Sequence, residues 1–407
     1  MNSKADIECV RRAHEEWRRY VEPFLSVGPS LVAEMADGDD PLLRHELYAR
    51  LMAAVSQASM GLFLGDADHP DFWPIFGGAT NFGAPNPDGT YLLAPLDGTG
   101  TYRLSGFRGT VVMSDFQFGG GYFYPRAQGP VAPSLANYDL AQIEVDGNGQ
   151  FEVLLSAERP QGHQGNWWYM DPHSTHVLVR QWSYDWVNEV DGRFAIERMD
   201  RPAIRPRPCI EQLSRDLSHI SAWMENTVRT SMAIANRYLA QGLVNLVAVR
   251  DLSGIGGLSN SKQLYVEGQF DLNPDEALIY TTSVPAKCRY WGVQLTDLLS
   301  WGAIDYVNRQ SSLNGHTAGL DTEGRLRAVI SIIDPQVPNW LDTGGLQRGT
   351  IFGRWTQCDS QPVPTVDKVK LADLRRHLPQ DTPVVTAEAR DAQLRLRRKG
   401  AQLRRRW

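Results

Sequence analysis

Cysteine is scarce in this chain of 407 residues, and its four positions, Cys9, Cys209, Cys288 and Cys358, are widely scattered. No CxxC pair occurs and no histidine stands near them at metal-ligand spacing, which excludes a zinc finger and a redox dithiol; all four read as reduced and structural. Several catalytic signatures are also missing. There is no GxSxG elbow, no HExxH, no Walker GK[ST] and no GxGxxG opening a helix, so serine hydrolases, zincins, P-loop NTPases and dinucleotide oxidoreductases lose their usual marks. The glycine clusters Gly119–Gly121 and Gly254–Gly257 lack a strand–turn–helix setting and read as loops. Charge of one sign is not in excess: 41 basic against 47 acidic residues leave a net charge of -6, too mild to imply nucleic acid or anionic lipid as a partner. The N-terminal stretch is charged and amphipathic where a secretory signal needs an apolar core, and no run reaches the roughly 18 apolar residues of a membrane span. The expected compartment is the cytoplasm.

What is present is a hydrophobic share of 42% with 22% charged residues, enough for about two domains and a sizeable core. Residues 1–70 form a helical N-terminal region, in which Ile7, Val10, Trp17 and Val21, then Leu43, Leu47, Leu51, Ala54 and Val55, recur at three and four. Pro23, Pro29 and the cluster Asp37–Pro41 are expected to break this region into pieces. From 71 to 207 the pattern becomes β. Strands are predicted at Thr101–Leu104, Gly109–Gln117, Tyr138–Val145, Phe151–Ser156, Thr175–Trp186 and Arg193–Met199, separated by turns such as Asp146–Gly149. The proline-rich Arg201–Pro208 ends that domain, and residues 208–250 hold one long connecting helix with its apolar phase running from Ile210 to Leu239. A second β-domain spans 251–362. The remainder, 363–407, is a polar tail ending in a basic helix from Ala387 to Trp407, read as a solvated helix that touches a partner subunit or the protein's own acidic body.

The most informative stretch lies inside the second β-domain, from Arg289 to Gly345. Its segments YWGVQL, YVNRQSSLNG and DPQVPNWLDTGG resemble the C-terminal domain of the family catalogued as domain of unknown function 1214. NPDGTYLLAPLDGTGTYRLSG, from Asn86 to Gly106, resembles the section that accompanies it. The resemblance implies an α+β, mainly β protein: two jelly-roll-like β-sandwich domains joined by a long helix, with a helical N-terminal region and a basic C-terminal helix. Among soluble members it implies a lyase of aromatic catabolism that removes a hydroxymethyl group as formaldehyde from phenylcoumaran-type, lignin-derived dimers.

The residues that could carry such chemistry fall into two clusters. The loop Gly162–His176 holds three adjacent aromatic residues, Trp167, Trp168 and Tyr169, followed by Asp171, His173 and His176. In a strand His173 and His176 would point to opposite faces, so a shared metal is awkward and no metal site is assigned; a single histidine serves better as acid or base. In the second domain Tyr290, Trp291, Tyr306, Asn308, Arg309, Ser312, Asn314 and His316 form the other cluster. Their polar members can equally hold a long loop in one conformation. On the functional reading, Asn308 and Arg309 line a pocket facing the aromatic loop of the first domain. His173, Asp171, Arg309, Tyr290 and His316 are then the catalytic candidates, with Arg309 opposite a developing phenolate. Trp167, Trp168, Tyr169, Trp291, Tyr306, Asn308, Ser312 and Asn314 contact substrate. Expected cofactors are none, and the expected partners are a small aromatic substrate and further copies of the chain. A second reading is a non-catalytic carbohydrate- or aromatic-ligand-binding jelly-roll protein, because exposed tryptophans suit sugar rings.

Overall fold

The computed structural model describes residues 4–35, 38–77, 85–121, 134–252, 263–299 and 302–404. Gly254–Gly257 lies outside them. Helix α1 (Lys4–Glu34) is a single helix that runs through Pro23 and Pro29, which corrects the expectation that these residues break it. Each proline frees the carbonyl four residues back, at Arg19 and Leu25, and both of those residues are exposed, so the lost hydrogen bond costs little. The break falls at the second site instead: Asp40 caps α2 (Pro41–Leu64), accepting from the backbone N–H groups of Leu42 and Leu43 with Pro41 in the first turn. Helix α2 is long and apolar enough to cross a membrane, contrary to the sequence reading, yet it serves as a packing helix. Its Leu47, Leu51 and Ala54 bury against Val27 and Leu31 of α1 and against Met224, Val228 and Met232 of α3 (Ile210–Gln241).

The first β-domain contains β1 (Trp73–Phe76), β2 (Gly89–Pro95), β3 (Tyr102–Phe107), β4 (Met113–Gly119), β5 (Ser134–Asp139), β6 (Gln150–Ser156), β7 (Asn166–Tyr169), β8 (His176–Trp182) and β9 (Arg193–Arg198). The second contains β10 (Leu246–Arg250), β11 (Gln263–Asp271), β12 (Glu276–Ser283), β13 (Cys288–Thr296), β14 (Ser312–Asn314), β15 (Arg325–Ser331), β16 (Trp340–Asp342), β17 (Arg348–Cys358) and β18 (Thr365–Lys370). Each domain is a sandwich of one five-stranded and one four-stranded sheet, in the orders β1-β2-β8-β4-β5 with β7-β6-β3-β9, and β10-β11-β17-β13-β14 with β16-β15-β12-β18. The protein is thus α+β and mainly β. Two predicted strands are corrected: β5 ends at Asp139 and shares only Tyr138 and Asp139 with the expected Tyr138–Val145, and β8 ends at Trp182 rather than Trp186. Asp139 ends β5 by capping a 3-10 turn at Ala141, and Asp185 closes a turn after β8 by accepting from the N–H groups of Val187 and Asn188.

Alternation along the strands sorts residues between the two faces. Phe116, Phe118, Val177 and Val179 enter the first core, while Trp291, Val293, Leu295, Ile351 and Trp355 enter the second. The opposite faces of the two five-stranded sheets are not solvated. Every residue of β4 and β8 is buried, and so is most of β13 and β17, because these faces meet across the domain junction. Met113, Trp182 and Tyr290 pack together there.

The cysteine reading needs correction. Cys288 and Cys358 are a disulfide, while Cys9 and Cys209 are free and exposed. The pair is separated by 70 residues in the chain and becomes adjacent only because β13 and β17 place the two residues opposite each other.

The basic C-terminal helix is also not a solvated appendage. In α4 (Ala387–Arg404), Arg390, Arg397 and Arg404 are spaced by seven, so they share one face; Arg390 and Arg404 are buried and Arg397 half-buried. Arg390 lies over Trp340, 5.3 Å from the ring centre, and pairs with Asp334 at 3.0 Å, both in the second domain. Arg404 pairs with the buried Asp191 of the first domain at 3.2 Å. The helix therefore straps the two sandwiches together.

Candidate functional site at the domain junction

Between those two anchors Arg397 enters the junction and stacks over Trp186, 4.4 Å from its ring. Its Nε donates to the Tyr306 carbonyl at 2.5 Å and its Nη2 to Ser312 Oγ at 2.5 Å. Behind Trp186 lies Asp88, just ahead of β2. Oδ1 of Asp88 accepts from Trp186 Nε1 and from Asn314 Nδ2, both at 2.8 Å, and Oδ2 accepts the Tyr290 hydroxyl at 2.6 Å. Asn86 completes the knot by donating from Nδ2 to the Tyr290 oxygen at 2.8 Å. Burial raises the Asp88 carboxyl above its usual range, against the hydrogen bonds of Tyr290, Asn314 and Trp186. Burial, then the Asp88 charge, raises the Tyr290 phenol well above its own. Burial likewise lowers Arg397 to about 10, with the Asp88 charge pulling the other way. Both domains and α4 contribute to this knot, so it exists only in the assembled fold.

Next to the knot the two sheet faces carry polar residues at alternate positions. On the first, Arg180 donates from Nη1 to Asp115 at 3.1 Å and from Nη2 to Gln117. Arg180 is 5% exposed and Asp115 4%, so this is an ion pair out of water. Desolvation pushes Asp115 up to about 6, although the Arg180 charge pulls it down. His176, at the start of β8, is held down to about 3 by burial and then by Arg180, which leaves it neutral. On the second face, Arg354 donates to Gln294 Oε1 at 2.7 Å and Gln294 reaches across the junction to the Pro85 carbonyl at 3.0 Å. Gln263 bridges Thr356 and Tyr265. Burial raises the Tyr265 phenol; the charges of Arg354 and Arg180, one from each domain, act on it in the opposite sense. A carboxyl that changes charge near neutrality, a phenol and two guanidinium groups thus share one dry layer. Such a layer can exchange a proton and stabilise an oxyanion.

The residues singled out in the sequence divide between this junction and the surface. Tyr290, Asn314, Ser312 and Tyr306 are brought together around Asp88 and Arg397. Trp291 instead packs in the second core near Trp355, its backbone N–H donating to the Tyr184 hydroxyl. Of the stretch Gly162–His176, only His176 reaches the junction; the residues before it do not face the second-domain cluster. His173 sits on an exposed turn, its side chain 88% accessible and 3.0 Å from Asp171, whose carboxyl is lowered mainly by the His173 backbone N–H. Tyr169 is exposed, Trp167 bonds Ser156 Oγ on the same sheet, and Trp168 stacks on Tyr138 in the first core. These positions follow from β7 being an edge strand of the four-stranded sheet, on the side of the sandwich away from the junction. The expected pocket between Asn308, Arg309 and that loop is therefore corrected. Arg309, half exposed, pairs with Asp342 at 3.0 Å inside its own domain, Asn308 bonds Asp305 and Arg398, and His316 is exposed 3.7 Å from Asp185. Among the described residues no group of His, Cys, Asp and Glu is arranged to hold a metal.

The sequence reading passed over Asp88, Asp115, Arg180, Tyr265, Arg354 and Arg397. A signal was available for the strand residues: MSDFQFG, HVLVRQW and IFGRWTQ put single charges or amides at alternate positions among aromatics, without the lysines and glutamates of a solvated face. For Arg397 the signal was the spacing of seven.

No family model matches the chain, and no curated protein matches it. Among solved structures, an uncharacterized protein from Burkholderia cenocepacia is similar at 29% identity with a TM-score of 0.78, covering 88% of this chain and 98% of its own. A protein from Vibrio parahaemolyticus aligns at 14% identity over 81% of this chain and 99% of its own with a TM-score of 0.45. A salicylate 1,2-dioxygenase from Pseudoaminobacter salicylatoxidans aligns over 74% of this chain and 80% of its own at 9% identity and a TM-score of 0.19. The Burkholderia protein shows that this arrangement occurs, nearly end to end, in another chain.

Proposed function

We propose that the protein is a lyase that acts by acid–base chemistry on a phenolic, lignin-derived alcohol of the phenylcoumaran type, releasing formaldehyde and leaving a stilbene. The observation that supports this most is the dry layer of Asp115, Arg180, Arg354 and Tyr265, with its carboxyl near pH 6. The reaction needs no oxidant. Ionisation of the free phenol drives its electron pair through the ring and breaks the benzylic ether, giving a quinone methide, and the departing phenoxide takes a proton. Deprotonation of the primary alcohol then breaks the carbon–carbon bond to its CH₂O group, and that electron pair forms the stilbene double bond and restores the ring. One dimer becomes one stilbene and one formaldehyde. In this reading Asp115 takes and returns the proton, while Arg180 and Arg354 stabilise phenolate charge in the role first given to Arg309.

The carbohydrate-binding alternative has less support. Of the tryptophans among the described residues, Trp17 is exposed, Trp167 half-buried and the others buried, so the aromatic surface open to a sugar there is limited to Trp17 and the Trp167–Tyr169 pair on the outer sheet. Incubating the purified protein with a phenolic phenylcoumaran dimer bearing a primary alcohol should yield formaldehyde and stilbene absorbance in equal amounts. The phenol methyl ether of the same dimer should not react. Absence of formaldehyde from the free phenol, or equal reaction of the methyl ether, would refute the proposal.

A further inference from the structure

Trp186 also lines a recess of about 80 Å³, beside Pro87 and Gly89, that the proton-transfer layer does not use. Its lining holds two edge-to-face aromatic pairs, Phe76 with Tyr91 at 5.0 Å between centroids and Trp186 with Tyr306 at 6.2 Å, together with Thr90. Helix α4 lines one side through Ala401 and Arg404. The volume is several times the ~10–15 Å³ that one water requires, and four aromatic faces make poor partners for water.

The polar content of the recess narrows what fits. Arg404 is 6% exposed and its Nη2 is committed to Asp191, so its charge is balanced within the protein. Its Nε–H, buried in the same place, has no partner among the described residues. A buried donor left unmet is costly, and it asks for an acceptor atom rather than an anion, since the ion pair already neutralises the cation. A carboxylate would bring an unbalanced charge into an apolar slot, and a sugar would bring more hydroxyl groups than the recess can satisfy. We infer that this recess is an open binding site for a neutral single aromatic ring carrying an acceptor oxygen, with Arg404 Nε–H donating to that oxygen and α4 lining one side. The inference deepens the lyase reading by giving one ring of the dimer a seat beside the catalytic layer, and 2-methoxyphenol is the smallest probe that carries the required features.

Titration of the full chain with 2-methoxyphenol, followed by ligand-observed NMR, should show saturable binding with a Kd on the order of 1 mM, the range expected for so few atoms. Benzoate and cyclohexanol should bind at least about tenfold more weakly, the first for its charge and the second because its puckered ring lacks a flat aromatic face. Arg404→Lys keeps the charge for Asp191 but loses the planar fork of donors, and should weaken 2-methoxyphenol about five- to tenfold. Ala401→Phe fills the recess from α4 and should abolish binding with the melting temperature kept. No saturable binding of 2-methoxyphenol, binding indifferent to both substitutions, or benzoate binding as tightly would overturn the inference. A protein that turns over the dimer without binding 2-methoxyphenol defeats this inference and leaves the lyase reading, whereas binding without turnover does the reverse.

Discussion

Replacing Asp115 by asparagine tests the central feature of the junction through stability alone. The carboxyl is raised from an ordinary 3.8 to about 6 in the folded protein, a difference of about 2 pH units, and each unit corresponds to about 1.4 kcal/mol. The sign follows from linkage. Because the folded value lies above the unfolded one, the folded state binds the proton more tightly. The contribution of Asp115 is then most favourable below pH 4 and is lost as pH rises through 6. Between pH 4 and pH 7.5 the native chain should therefore lose about 3 kcal/mol relative to Asp115→Asn, which cannot ionise. Asparagine also deprives Arg180 of an anionic partner, but that cost applies to the variant at neutral pH and at acid pH alike once the native carboxyl is referred to its protonated form. The slope is diagnostic, the offset is not. Urea unfolding of both proteins at four or five pH values across this window gives the difference directly, with all other titrating groups cancelling to first order. A difference that stays flat across the window would show that Asp115 is not desolvated in the way its surroundings require, and the acid–base role would fall with it.

Other outcomes follow from the same structure. His176 is held down to about 3 against an ordinary 6.5, so its contribution is lost as pH falls below 6.5, the opposite sense to Asp115; His176→Gln should gain up to about 5 kcal/mol on the native chain between pH 7 and pH 3 in acid-unfolding curves. Arg397→Met removes a half-buried guanidinium that bonds Tyr306 and Ser312 and feels the Asp88 charge, and should cost about 3 kcal/mol, read as a lowered melting temperature; an unchanged melt would mean that α4 does not hold the sandwiches together. Thiol titration of the native chain should count two cysteines, Cys9 and Cys209, and four after reduction and unfolding. Arg309→Lys and His173→Gln should leave formaldehyde release intact, since one is held in a surface ion pair and the other on an exposed turn; a collapse of turnover in either would return the chemistry to the surface clusters.

Local order in this protein is written in short-range pattern. The three-and-four spacing of Leu47, Leu51 and Ala54, the helix from Ile210 to Gln241 and the alternation along β8 and β13 all belong to residues a few positions apart, where backbone geometry and side-chain periodicity act directly. Chain order was therefore enough for the α+β architecture and for the strands of clearest alternation, such as β3, β6, β8 and β9, but not for β2 or β17. It also sufficed to single out Tyr290, Asn314, Ser312 and Tyr306, because they lie within one continuous polar and aromatic stretch. It failed at Pro23 and Pro29, where the cost of a proline depends on whether the freed carbonyl meets solvent or core.

What only the tertiary structure decided is where a strand's second face looks. Arg180, Asp115 and Arg354 sit at positions that a single strand pattern assigns to solvent, and they are buried because another sandwich covers them. Tyr290 meets Asp88 across 202 residues, and Asn314 meets it across 226. Cys288 meets Cys358 only through the register of β13 and β17. His173 and Arg309, chemically the most suggestive residues in the chain, remain at the surface for the complementary reason: β7 is an edge strand of an outer sheet, and Asp342 is close enough to hold the arginine within its own domain. Periodicity specifies which residues share a face, but it carries no information about what that face packs against. Burial, and with it every shifted proton affinity at the junction, is set by that second body.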